Sequence, residues 1–156
     1  LATAFHETAK TMQPISEYGG IAYFTKLYDI TGKNPTRAKA MGNTSIGDGP
    51  KYKGRGFVQL TWKNNYAKAS KALGVDLVSS PEKAKDLNIA SKILVIGMKD
   101  GWFRGVKCSQ VMPTELATKE QFSRARGIIN VPSDDPELIA SYAVNFQEAL
   151  KLGMWK

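Results

Sequence analysis

Between Glu17 and Gly56 the chain sets eight glycines among Asn, Asp, Ser and Pro, a density of turn formers that leaves little room for long regular elements. The segment reads as a long surface excursion with short strands at most. Inside a compact domain such a stretch usually serves function, as a lid or groove wall, so binding residues are sought there first. On either side the pattern is helical. Leu1, Phe5, Ala9 and Met12 recur on one helical face, and Pro14 stops that helix. Downstream, a helix is predicted from near Thr61 through Tyr66, Ala69 and Leu73 to a stop at Gly74. Another is predicted from Ser80-Pro81-Glu82 through Ile93 and Ile96 towards Gly101. A Thr118/Gln121 capping box opens a third through Phe122 and Ile128. The last starts at Asp135-Pro136-Glu137 and buries Ile139, Tyr142, Phe146 and Leu150 before Gly153. The expectation is a mainly α chain of the α+β class, with a small β or irregular lobe between the first helix and the rest.

The 156 residues suit one compact domain, 1–156. The chain opens at Leu1, without a methionine and already in a helical pattern, so an incomplete start is expected. No apolar run reaches the ~18 residues of a membrane span; Ile89 to Met98 is interrupted by Ser91 and Lys92. With Cys108 the only cysteine, an internal disulfide and a cysteine metal cluster are excluded. His6 is the only histidine, which excludes a His-Glu-x-x-His zinc helix. Acid–base chemistry therefore falls to carboxylates. Lys and Arg number 22 against 14 Asp and Glu, a net charge of +8 that favours an anionic partner. Lys63, Lys68, Lys71, Lys83, Lys85 and Lys92 also fit plain solvated faces, and no nucleic-acid module is visible.

Glu7 sits in Phe5-His6-Glu7-Thr8 among alanines and apolar residues. A carboxyl there loses solvation, the setting in which a carboxylic acid keeps a proton to donate; the alternative is a solvated helix glutamate. Glu17 lies ten residues on. A continuous helix would separate the two by ~15 Å, whereas a turn at Pro14 allows the ~6.5–9.5 Å of inverting glycosidases. Otherwise Glu17 is an exposed loop residue, and Asp29 and Asp48 compete with it as a base. In Tyr52-Lys53-Gly54-Arg55-Gly56-Phe57-Val58-Gln59-Leu60-Thr61-Trp62, alternation of Val58 and Leu60 with Gln59 and Thr61 predicts a short strand with two polar side chains on one face. A simple hairpin accounts for the Gly-Arg-Gly as well. Trp62, Asn65 and Tyr66 suit either a sugar ring or a helix packed on a sheet. Tyr18, Tyr23, Phe24 and Tyr28, at near-helical spacing, are read as core without a site role.

Phe5-His6-Glu7-Thr8, then Met12-Gln13-Pro14-Ile15-Ser16-Glu17-Tyr18-Gly19, then Tyr52 to Thr61, resemble in order and spacing the endolysin branch of family 19 of the glycoside hydrolases, the chitinase-like lysozymes of bacteriophages. The resemblance extends to Asn64-Asn65-Tyr66 and resumes weakly at Arg126-Gly127-Ile128-Ile129-Asn130 and the final helix. It implies a lysozyme-like fold with a substrate cleft between the helical lobe and the irregular lobe. It also implies a muramidase that inverts the anomeric centre, with Glu7 as general acid, Glu17 as the base for water and Thr61 helping to hold that water. Gln59, Asn65, Tyr52, Arg55 and Asn130 fall on substrate-binding positions; Val131-Pro132 stands where plant chitinases continue with Gly-Gly.

The resemblance further implies peptidoglycan glycan strands as substrate. The net charge of +8 adds attraction to the anionic bacterial envelope. Two carboxylates and water call for no cofactor or metal, and no nucleic-acid partner and a monomer are expected. Synthesis in the host cytoplasm and action on the cell wall in the periplasm go with the resemblance. A chitinase, a lytic transglycosylase and a glycan-binding module without turnover are the other readings of the same residues.

Overall fold

The computed structural model describes residues 1–113, 115–129 and 135–153. Its class is the mainly helical α+β class expected, with one two-stranded antiparallel sheet among the described residues. The chain divides into two compact units: residues 1–12 with 94–156, and residues 13–93.

In the first unit, helix α1 (Ala2–Glu7) ends sooner than its apolar recurrence predicts. The Ala9 N–H bonds the His6 carbonyl at 3.1 Å and the Lys10 N–H the Phe5 carbonyl at 2.7 Å, the paired closure of a Schellman cap. Ala9, at φ 49°, takes the left-handed position that glycine normally fills. The buried Thr8 hydroxyl donates to the Ala4 carbonyl and accepts the Met12 N–H, so the last turn is sealed from within. Phe5 meets Tyr142 and Phe146 edge to face, at 5.1 and 5.7 Å between ring centres. Both belong to α9 (Pro136–Leu152), which opens with the Asp135 carboxylate on the Leu138 N–H. Its inner face buries Ile139 and Ala140, while Leu150, expected in the stripe, is 40% exposed. Helix α8 (Lys119–Ala125) carries the capping box in full, Thr118 and Gln121 each bonding the other's backbone N–H. It tightens into a 3₁₀ turn, Arg126–Ile128, as final helical turns often do. The unit also contains the short α7 (Cys108–Val111), and Gln147 of α9 satisfies both backbone groups of Ala117.

The second unit overturns the expected excursion. Residues 17–56 contain α2 (Ile21–Tyr28), α3 (Pro35–Ala40) and α4 (Asp48–Lys51), flanked by β1 (Ile15–Ser16) and β2 (Arg55–Gly56), which pair Ile15 with Gly56 and Ser16 with Arg55. Phe24 of α2 is 2% exposed, and burial of such a side chain contributes about 1.5–3 kcal/mol. Three buried polar side chains replace the missing periodicity. Asp29 accepts the Thr31 N–H and hydroxyl on one oxygen and the Gly47 and Gly49 N–H groups on the other. Asp48 accepts from the Thr44 and Ser45 N–H groups. Asn43 donates to the Tyr28 carbonyl and accepts the Lys63 N–H, joining the end of α2 to the start of α5 (Lys63–Leu73). A side chain at Gly49 would strike the Asp29 and Phe24 backbones, with a Cβ 2.7 and 2.9 Å from their atoms.

Helix α5 stops at Gly74, φ 65°, as predicted. The helix expected from Ser80 to Gly101 is instead two pieces, a 3₁₀ turn Pro81–Lys85 and α6 (Leu87–Asp100). Asp86 breaks them by turning extended and capping the Asn88 and Ile89 N–H groups. The predicted strand over Val58–Thr61 is a tight reversal, closed by mutual Arg55 and Leu60 hydrogen bonds, with Gln59 at φ 50°. The hairpin alternative describes it better.

Candidate functional site

Glu7 ends α1, where the Schellman closure turns the chain away behind it. Neither expected surrounding applies, apolar or solvated. Its Oε1 accepts from Arg126 Nη2 at 2.6 Å, and the two side chains are 17% and 1% exposed. The capping box of α8 and the 3₁₀ turn behind it set the position of Arg126. The pair spans 119 residues of sequence, and Arg126 had no assigned role; its place in the Arg126-Gly127-Ile128 segment was the available signal.

In the second unit the antiparallel pairing of β1 with β2 carries Glu17 past Gly54, the Glu17 N–H donating to the Gly54 carbonyl at 2.8 Å. Both carboxyl oxygens take donors, Oε1 from the Tyr28 hydroxyl at 2.9 Å and Oε2 from the Gly54 N–H at 3.1 Å. Glu17 is half-buried, not an exposed loop residue. Burial, then the adjoining Glu17 carboxylate, pushes the Tyr28 phenol well above its usual range, so it remains a donor through neutral pH. Tyr28 was read as core; its ring does pack on Trp62 at 4.9 Å and stack on Phe24, but its hydroxyl holds a candidate catalytic group. Of the other aromatics read as core, Phe24 is buried, whereas Tyr18 and Tyr23 are 87% and 48% exposed. Gly54 is required by close approach: a Cβ there would lie 2.8 Å from Gln59 Oε1 and 3.1 Å from Glu17 Oε2.

The remaining expected residues divide. Thr61 is half-buried, its hydroxyl donating to the Gln59 carbonyl at 2.7 Å. Gln59 spends its amide N–H groups on the Gly56 and Ile15 carbonyls, bracing the reversal against β1. Asn65 donates to the Thr61 carbonyl at 2.7 Å from the first turn of α5. Tyr52 and Arg55, expected at the substrate, lie inside the framework at 1% and 4% exposure. Tyr52 packs on Tyr66 and donates to the Val78 carbonyl. Arg55 grips Glu82 with Nε and Nη2, and its Nη1 reaches the Lys51 and Lys53 carbonyls and the Tyr66 hydroxyl. Asn130 lies outside the described residues. Asp29 and Asp48, the competitors for the base, are buried and turned onto backbone N–H groups. Backbone donors hold the Asp29 carboxyl below its usual range against the opposing effect of burial, which is individually the largest influence.

Among the described residues no three His, Cys, Asp or Glu side chains gather as metal ligands would, and no helix is long and apolar enough to cross a membrane. The chemistry on offer is that of two positioned carboxyls, one facing a guanidinium and one taking two neutral donors.

Residues 1–106 match the family model for chitinase class I. Over 45 residues the chain is 51% identical to acidic endochitinase SP2 of Beta vulgaris, covering 28% of this chain and 16% of that protein. Over 83 residues it is 43% identical to a glycosyl hydrolase family 19 domain-containing protein of Haemophilus influenzae, covering 53% of this chain and 36% of that protein. It is also 50% identical over 34 residues to inactive chitinase-like protein 1 of Hevea brasiliensis, covering 22% of this chain and 11% of that one. The chain thus spans about a third or less of the length of these curated relatives.

Proposed function

We propose that this chain, which belongs to the class I chitinase family of the glycoside hydrolases, family 19, hydrolyses the glycan strands of bacterial peptidoglycan with Glu7 as general acid and Glu17 as general base. The observation that carries the reading is that each motif carboxyl has its own fixed donors, Arg126 for Glu7 and Tyr28 with Gly54 for Glu17. In the inverting reaction the acid gives its proton to the leaving glycosidic oxygen while the base takes one from the water that adds to the anomeric carbon. Glu7 then carries a negative charge beside the Arg126 guanidinium, which stabilises the acid's spent form. Thr61 assists with the water, and Asn65, Gln59 and Asn130 fall on sugar-binding positions. The chain acts at the cell wall, made in the host cytoplasm in the manner of an endolysin, as a monomer without a cofactor.

Peptidoglycan is preferred to chitin because the net charge of +8 suits an anionic envelope and the single cysteine allows no internal disulfide of the plant type. The chitin reading is favoured by the endochitinase names of the plant relatives, and a binding role without turnover by the relative named inactive. Purified peptidoglycan and colloidal chitin, each digested with wild type, Glu7→Gln and Glu17→Gln, separate these. Muropeptides with a free reducing end from the wild type and none from Glu7→Gln are expected. Fragments lighter by one water would identify a transglycosylase, release from chitin alone a chitinase, and glycan binding with no release a binding module.

A further inference from the structure

We propose that helices α3 and α5 form a docking surface for a linear, phosphate-bearing polyanion of the cell envelope. The inference starts from where the excess charge lies. Residues 13–93 hold 13 basic and 6 acidic side chains, whereas the rest of the chain holds 9 and 8. Nearly all of the +8 therefore belongs to the second unit. Its six carboxylates are, moreover, already engaged. Glu17, Asp29 and Asp48 are bonded as described above. Asp76 takes the Val78 and Ser79 N–H groups, and Asp86 those of Asn88 and Ile89. Glu82 stands between Arg55 and Lys85.

The exposed cations of this unit gather by helical register. On α5, Tyr66 and Ala69 are fully buried, and Asn64, Lys68 and Lys71 line the opposite, exposed face at i, i+4 and i+7. At the start of that stripe Asn64 bonds the end of α3, its side chain donating to the Ala40 carbonyl and its N–H to that of Met41. Arg37 and Lys39, on the last turn of α3, therefore adjoin the stripe, and the Arg37 guanidinium lies 5.5 Å over the Trp62 ring just before α5. Lys63 opens α5, sharing its charge with Asp48 at 3.4 Å. Neither α3 nor α5 carries an Asp or Glu, so neither helix offers these cations a carboxylate of its own. The 11 residues of α5 extend ~16 Å, a length over which an extended polyanion presents successive charges.

The face suits phosphates rather than bases. Its cations are four lysines and one arginine, mostly point charges instead of planar forks. The nearby rings, Trp62 and Tyr66, are 7% and 0% exposed and give a single strand nothing to stack on. The binding claim stands apart from the roles of Glu7 and Glu17; only the choice of an envelope polymer rests on the proposed cell-wall substrate.

The test is fluorescence anisotropy with labelled poly(glycerol phosphate), beside single-stranded DNA of matched charge, at low and moderate salt. Wild type is expected to bind poly(glycerol phosphate) more tightly than DNA, with affinity falling about tenfold or more as salt rises from roughly 50 to 200 mM. Arg37→Gln/Lys39→Gln/Lys68→Gln/Lys71→Gln should lose at least about tenfold in affinity and much of the salt dependence. The control Lys99→Gln/Lys107→Gln/Arg124→Gln/Lys151→Gln, with the same charge removed from the first unit, should change by less than about threefold. If the fourfold variant does not fold by circular dichroism, Lys68→Gln/Lys71→Gln is read in its place. Equal losses in variant and control, no binding at low salt, or tighter binding to DNA would each overturn the proposal. Hydrolysis of an uncharged chito-oligosaccharide is expected to be unaltered in the α3/α5 variant. Absence of chito-oligosaccharide turnover in the wild type would count against the chitinase alternative only, and the binding result does not depend on it.

Discussion

Arg126 meets Glu7 through a single short hydrogen bond of 2.6 Å, with the guanidinium almost wholly buried and the carboxylate partly open to solvent. Glu7→Gln replaces the carboxyl that accepts the Arg126 N–H with a neutral amide, a poorer acceptor that has no acidic proton to give. Glu7→Gln is therefore expected to lower stability by about 1–3 kcal/mol, below the range for a fully buried pair because Glu7 keeps some solvent. Turnover should fall at least about a hundredfold, as for loss of a general acid. Denaturant melts and muropeptide release check the two effects separately.

Glu17 is aimed by Tyr28 and Gly54. Tyr28→Phe keeps the ring against Trp62 and removes one donor, so kcat should drop about 10- to 100-fold with KM within a factor of about three. In a Glu17→Gln background the same substitution should change little further, since its effect passes through the carboxylate. Gly54→Ala crowds Glu17 and Gln59 together and should lose activity by a similar factor. A Tyr28→Phe enzyme with unchanged kcat would contradict the positioning role.

Asp29 contributes to the acid sensitivity of the second unit. Its carboxyl is held below the ordinary aspartate value of 3.8, so the native state binds its proton later than the unfolded chain as pH falls. The stabilisation is complete above that value and is lost as pH drops through the lower native one. Asp29→Asn should lower stability at neutral pH by about 2–3 kcal/mol. It should also flatten the decline below about pH 4, measured by denaturant titration across the acid range.

Ala9 occupies a left-handed cap at φ 49°. Glycine adopts that conformation without the Cβ clash, so Ala9→Gly should stabilise the chain by about 0.5–1 kcal/mol, raising Tm by about 1–4 °C. A calorimetric scan decides it; a lower Tm would show that the Ala9 side chain matters to the closure.

The legible parts of the fold were those written in local chemistry. Gly74, the Thr118/Gln121 box and Asp135 each marked a helix end within a few residues of their partners. Asp86 escaped because it caps from inside an apparently continuous pattern begun at Ser80-Pro81. Helices α2 to α4 escaped because glycine density hid the Phe24 and Tyr28 face, and because Asp29 organises residues 18 and 20 positions away through backbone N–H groups that have no period. Glu7, Glu17, Thr61, Gln59 and Asn65 were named as candidates by motif. Tyr28 and Arg126 were not, since an aromatic in helical spacing looks like core and an ion pair across 119 residues leaves no local trace. Burial separated Tyr52 and Arg55 from the rest of their motif.

The Thr61 hydroxyl points its proton at the Gln59 carbonyl, which leaves only lone pairs for anything that approaches it. A water arriving there must act as donor. Glu17, as a carboxylate, likewise offers acceptors alone. A water that gives one hydrogen to each has both its protons accounted for, and its own lone pairs are the electrons left to attack. On the roles proposed for Thr61 and Glu17, the short bond to the Gln59 carbonyl would leave both side chains facing that water as acceptors.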